Sequence, residues 1–169
     1  GAHLHPVFSP GGKLVTGSHQ PDHPWQRGIW IAWTKTEFGD SHPDFWNMGK
    51  TDAKNGDSLP AEVRFVKLDK SWSGPKNAGF ISQHEFLDHS HAPGQKVLNE
   101  TWEVAVSRQT LNGMLANVID LASTQTCATD MPLKLPKYHY GGLGVRGNPQ
   151  WNTVDAVTML TSEGHDRKS

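Results

Sequence analysis

Glu100-Thr101-Trp102-Glu103-Val104-Ala105-Val106-Ser107-Arg108, then Asn112-Gly113, then Leu115-Ala116-Asn117-Val118-Ile119-Asp120-Leu121: this stretch decides the fold class. Successive strand side chains point to opposite faces. Trp102, Val104 and Val106 therefore share one face, and Thr101, Glu103 and Ser107 take the other. Asn-Gly is the preferred pair for a two-residue hairpin turn, because both positions need positive φ. The pattern predicts an antiparallel hairpin with Trp102 in the core.

Outward from this hairpin, strand-like runs fall near residues 29–34, 62–69, 78–87, 97–107, 114–123, 137–146 and 154–160. Turn residues separate them, and no helical period stands out. With 17 Gly and 11 Pro among 169 residues, helices are disfavoured and turns frequent. Strands at short spacing with hairpin signals predict an all-β fold, an antiparallel β-sandwich over residues 1–169 as a single domain. Residues 39–60 read as a long loop around the aromatic island Asp44-Phe45-Trp46-Asn47-Met48-Gly49, and residues 89–95 as a second loop. Loops of that length inside compact domains are often functional.

Composition removes several classes. The 16 Lys+Arg against 17 Asp+Glu leave no basic stripe for nucleic acid. No apolar run approaches the roughly 18–20 residues of a membrane-spanning helix. Cys127 is the single cysteine, so no internal disulfide forms, and it reads as a small buried apolar residue. Both ends read as cut. Residues beyond Ser169 are expected to complete the sheet as partners of the 154–160 strand, and an exposed sheet edge would allow self-association.

Two segments concentrate chemistry. The first is Pro21-Asp22-His23-Pro24-Trp25-Gln26-Arg27-Gly28, read as a rigid turn feeding a buried strand. A histidine side chain can give or take a proton near neutral pH, which makes His23 a candidate general acid or part of an anion clamp. Arg27 can hold a carboxylate or hydroxyls with its planar fork; the alternative is a structural turn in which Asp22 caps backbone N–H groups and Arg27 pairs with a nearby carboxylate. The second is Tyr138-His139-Tyr140-Gly141-Gly142-Leu143-Gly144-Val145-Arg146, a glycine-rich strand end where a ligand or another backbone can approach closely. Trp faces stack on the C–H faces of sugar rings, and Trp25 and Trp46, beside polar turn residues, fit such a platform. His23, His139 and Arg27 are thus the candidate catalytic groups. Trp25, Trp46, Tyr140, Arg146 and Asp22 are the candidate substrate-binding groups. The two segments are expected to meet at one concave surface.

Other polar residues carry less. His3 and His5, like His89 and His91, are spaced i, i+2 but lack a third ligand, so no metal site and no cofactor is expected. His84 and Glu85 are adjacent and point to opposite faces of a strand, so they do not act together on one atom. Ser9 and Ser18 lack the surroundings of an activated nucleophile.

The motifs His5-Pro6 with Ser9-Pro10-Gly11-Gly12, Asp22-His23-Pro24 with Arg27-Gly28, Asp44-Phe45-Trp46, Glu100-Thr101-Trp102-Glu103 and Tyr138-His139-Tyr140-Gly141-Gly142-Leu143-Gly144 resemble the soluble bacterial family catalogued as methane oxygenase PmoA. That pattern usually has His where Trp25 stands here. The family is similar in turn to the galactose-mutarotase-like β-supersandwich, so the resemblance implies an incomplete supersandwich that binds a carbohydrate. In such enzymes a His at a strand end protonates a sugar oxygen while a carboxylate takes a proton. His139 and His23 fit the first role, and Glu163 is a trial assignment for the second. The expected function is a carbohydrate-active protein with His-based acid/base chemistry of epimerase, lyase or hydrolase type. The alternatives are a non-catalytic carbohydrate-binding module and, following the family name, a metal-dependent oxygenase. A bacterial periplasmic or secreted setting is favoured over the cytoplasm.

Overall fold

The computed structural model describes residues 1–47 and 61–166. Eight strands follow in chain order: β1 Ser18–Gln20, β2 His23–Arg27, β3 Ile29–Ala32, β4 Ala61–Ser73, β5 Asn77–Asp88, β6 Gln95–Leu111, β7 Met114–Cys127 and β8 Gly142–Val145. Two single 3-10 turns, Pro149–Trp151 and Val154–Ala156, come after them, and the described residues hold no α-helix. The protein is an all-β antiparallel sandwich.

One layer is the four-stranded meander β4-β5-β6-β7. The β6–β7 hairpin forms as its sequence dictates. Leu111 faces Met114 across the two-residue turn, with Asn112 at φ 50° and Gly113 at φ 77°. Residues 101–107 and 115–121 pair antiparallel throughout the hairpin. In register, Phe65 of β4, His84 of β5, Glu100 of β6 and Gln125 of β7 line up across the sheet, so they share one face. Trp102, 1% exposed, sits on that face, as its alternation predicts.

The opposing layer is built from short pieces. β3 pairs with β8, β1 pairs with β2, and Leu4 bridges Ile29. The core lies between the layers. Val63, Phe86, Val97 and Leu98 from the sheet meet Ala32, Phe38 and Phe45, flanked by Trp30, Trp33, Trp46 and Leu133. Phe45 and Phe86 meet edge to face with centroids 5.0 Å apart. Burying each such ring contributes about 1.5–3 kcal/mol.

Four expectations need correction. Residues 23–27 form a strand rather than a rigid turn; only Pro21 and Asp22 remain in a turn. The run 137–146 shortens to Gly142–Val145, because Gly141 (φ 147°) and Gly142 (φ 86°) break the extended chain that would lead into it. His139 and Tyr140 therefore lie outside the strand. The run 154–160 forms a 3-10 turn and irregular chain, with no ladder partner among the described residues. Cys127 is exposed at the end of β7. Of the predicted 39–60 loop, residues 48–60, including Met48 and Gly49, lie outside the described residues.

Candidate functional site

Gly28 joins β2 to β3 and sets the geometry of the first candidate segment. Its φ of 53° suits glycine, and a Cβ there would collide with the Leu4 carbonyl. Its N–H donates to the Gly17 carbonyl (2.8 Å), and its own carbonyl accepts from the Arg146 N–H (2.7 Å). This corner thereby ties the end of β2 to Arg146, the residue that follows β8.

Arg146 joins the two segments. Its guanidinium donates to the Asp22 carboxylate, to Gln20 Oε1 and, at 3.1 Å, to Gln26 Oε1. Gln20 is itself fixed by Asn152 (2.8 Å) and by donating to the Gly147 carbonyl (2.9 Å). Arg146 beside Asp22, and secondarily His23, hold the Asp22 carboxyl well below the usual carboxylate range. The ionised Asp22 accepts from His23 Nδ1 at 3.0 Å. With its proton on Nδ1, the neutral His23 ring has its lone pair on Nε2. The His23 ring stands edge-on to Trp25 at 5.1 Å.

Alternation along β2 puts His23, Trp25 and Arg27 on one face. Trp25 and Arg27 line a cavity of about 290 Å³ together with Trp30, Trp46, Glu62 and His3. Trp30 and Trp46 pack edge to face at 4.9 Å. Asp44 holds the Trp46 turn through the Trp46 and Asn47 N–H groups, each 2.9 Å from Oδ1. Glu62 pairs with His89 at 3.2 Å, and burial lowers the His3 pKa below the ordinary histidine value.

His139 and Tyr140 belong to a neighbouring groove, which they line with Trp33, Lys35, Leu135 and Tyr138. Tyr138, His139 and Tyr140 form a ring cluster with centroids 4.2–5.2 Å apart. Tyr140 in turn packs on Trp46 at 5.6 Å, so Trp46 stands between the cavity and this groove. Among the described residues, His23 does not line the groove that holds His139. What the structure brings together directly is Asp22, His23, Trp25 and Arg146, with Trp25, Arg27 and Trp46 sharing the cavity. Glu163 lies in an exposed turn outside both sets of lining residues.

The sequence reading missed a buried network on the sheet. Glu100 Oε2 accepts from His84 Nδ1 at 3.1 Å, and His84 Nε2 lies 3.2 Å from Ser82 Oγ. Glu100 Oε1 accepts from Ser123 (2.6 Å) and Gln125 (2.8 Å). Burial alone would raise the Glu100 carboxyl, yet the donors from His84, Ser123 and Gln125 outweigh it and hold the group below its ordinary value. The signal was present: Ser82 and His84 are i, i+2 in a strand, and Glu100 stands inside an otherwise apolar face. Only the register of β5 against β6 sets them opposite one another. Glu85, as expected, takes the other face and pairs with Arg64 and Lys96.

Among the described residues, no three His, Cys, Asp or Glu side chains converge on a metal position, and no helix is long and apolar enough to cross a membrane. A family model described as "Family of unknown function (DUF6807)" matches residues 1–169, and the chain belongs to that family. No curated protein and no solved structure matches it.

Proposed function

We propose that the protein binds a carbohydrate, and that the cavity between Trp25, Trp30 and Trp46 is its binding site. The observation that carries this reading is the lining itself: three indoles, the Arg27 guanidinium and the Glu62 carboxylate around a space of about 290 Å³. That is near the lower end of small-molecule sites, about 300–1,000 Å³, and suits a single sugar ring. Indole faces stack on the apolar face of a pyranose, while Arg and Glu take its hydroxyls. The galactose-mutarotase-like fold that the sequence motifs imply by resemblance supports the reading by analogy alone.

His23, oriented by Asp22 and packed on the cavity residue Trp25 but not itself among the lining residues, is the acid/base group of this proposal, reaching a bound sugar from the cavity rim and suited to epimerase or lyase chemistry. Among the described lining residues Glu62 is the one carboxylate. Glycoside hydrolysis usually needs two carboxylates flanking the bond, so the hydrolase form has the least support. The lone, His89-paired carboxylate is also what favours the second reading, a non-catalytic binding module.

Calorimetric titration with neutral and acidic monosaccharides tests the site. Binding is expected, weakened at least about tenfold by Trp25→Ala or Arg27→Ala, since each removes one good contact of about 1.4 kcal/mol or more. Absence of binding across the panel, or binding indifferent to both variants, would overturn the proposal. A binding-competent His23→Ala that loses turnover separates the enzyme from the binding module.

A further inference from the structure

The face of the four-stranded sheet carries a second constellation, away from the tryptophan cavity's indole walls. We propose that Ser82, His84 and Glu100 form a nucleophile–base–carboxylate relay that hydrolyses esters of apolar acyl groups. The groove above them, about 350 Å³, is lined by Leu4, Phe65, Leu68, Phe80 and Trp102 along with Ser82 and His84. Ser82 brings the one hydroxyl among the described lining residues. Its walls take an acyl chain, and Ser82, 2% exposed, lies at its floor.

The hydrogen bonds fix the proton positions. Both Glu100 oxygens are acceptors, since Ser123 and Gln125 donate to Oε1 and Oε2 faces His84 Nδ1. His84 therefore carries its proton on Nδ1, and its Nε2 lone pair faces the Ser82 hydroxyl at 3.2 Å. A hydroxyl next to a base that is itself oriented by a carboxylate is the arrangement of an activated nucleophile, which geometry rather than sequence position identifies. His84 is also clamped edge-on by Trp102, centroids 5.1 Å apart, which fixes the imidazole plane. Glu100 acts through His84 and is a positioning residue.

The reaction closes on water alone. Ser82 Oγ attacks the ester carbonyl carbon, and its proton passes to His84 Nε2. The tetrahedral adduct collapses with cleavage of the carbon–oxygen bond to the alcohol, which leaves with the His84 proton. Water then attacks the acyl-serine, giving one proton to His84 and so back to Ser82 Oγ as the acid departs. The net change is ester plus water to acid plus alcohol.

The test uses the wild-type chain with p-nitrophenyl butyrate as substrate and an alkyl fluorophosphonate as covalent probe. Peptide mass spectrometry is expected to find the phosphonate on Ser82, with label and butyrate hydrolysis both lost in Ser82→Ala at unchanged circular dichroism. Glu100→Gln is expected to lower kcat about a hundredfold or more with KM unchanged, because the imidazole loses its enforced tautomer. A folded wild-type chain that leaves Ser82 unlabelled overturns the proposal, as does hydrolysis that survives Ser82→Ala. An equal kcat in a folded Glu100→Gln variant removes Glu100 from the relay. Should Glu100→Gln not fold, the labelling of wild type and the Ser82→Ala comparison still decide.

Discussion

At the scale of single residues, Gly144 shows how the site depends on an absent side chain. A Cβ there would lie 2.5 Å from Trp30 Cζ2 and 2.8 Å from Trp46 Cη2. The glycine-rich segment read in the sequence as room for a ligand is, at this position, room for two indoles. Trp30 and Trp46 are the cavity wall, so Gly144→Ala must push that wall apart. Overpacking of this kind costs about 1–3 kcal/mol. Thermal denaturation is expected to show that loss, and sugar titration a weaker site; an unchanged melting curve would mean the indoles relax freely. Arg146 teaches the complementary point. The sequence marked it as a ligand-binding side chain, and the structure engages its guanidinium with Asp22, Gln20 and Gln26. Side-chain type was legible, whereas the partner 124 positions away in the chain was not.

At the scale of elements, what could be read was what local chemistry determines. The β6–β7 hairpin needed only alternation and Asn112-Gly113, and it formed in register. Gly113 at φ 77° is open to solvent, with nothing within 4 Å of a Cβ. Gly113→Ala therefore tests backbone strain without a clash, and a left-handed residue costs about 1–2 kcal/mol. Urea denaturation is expected to show a lower midpoint at constant m; no change would mean the turn does not set hairpin stability. The run 154–160 failed for the opposite reason. Its apolar residues satisfy a strand pattern, but a strand exists only with a ladder partner, and pattern does not report one. Likewise β2 was hidden by Pro24, which removes a donor and reads as a turn. Its pairing to β1, Gln20 against His23 and Ser18 against Arg27, is short and irregular. The backbone of the 21–28 segment was thus misread as a turn, because the strand pairing that orders residues 23–27 is not a local signal.

At the scale of the whole molecule, Glu100 links the layers. Trp33, which follows β3, donates from Nε1 to Gln125 Oε1 at 2.8 Å, and Gln125 donates on to Glu100. The carboxylate thereby holds a sheet residue that in turn holds the opposing layer. Its folded-state pKa lies below the ordinary 4.5, so it binds a proton less readily folded than unfolded. The stability it contributes is then present above about pH 4.5 and is lost as pH falls through the lower folded value. A neutral Glu100 must turn one oxygen into a donor, in a site where Ser123, Gln125 and His84 all present donors to it. Acid should therefore loosen the contact between layers rather than fray one strand. Glu100→Gln removes the charge at nearly constant shape. It is expected to cost about 1.5–3 kcal/mol near neutrality, the usual worth of hydrogen bonds to a charged group. Below pH 4.5 its stability should fall less steeply than that of the wild-type chain, so the two curves converge. Urea denaturation at pH 7, 5, 4 and 3 measures both. Parallel curves at all four values would show that some other carboxylate, such as the Arg146-paired Asp22, sets the acid limit of the fold.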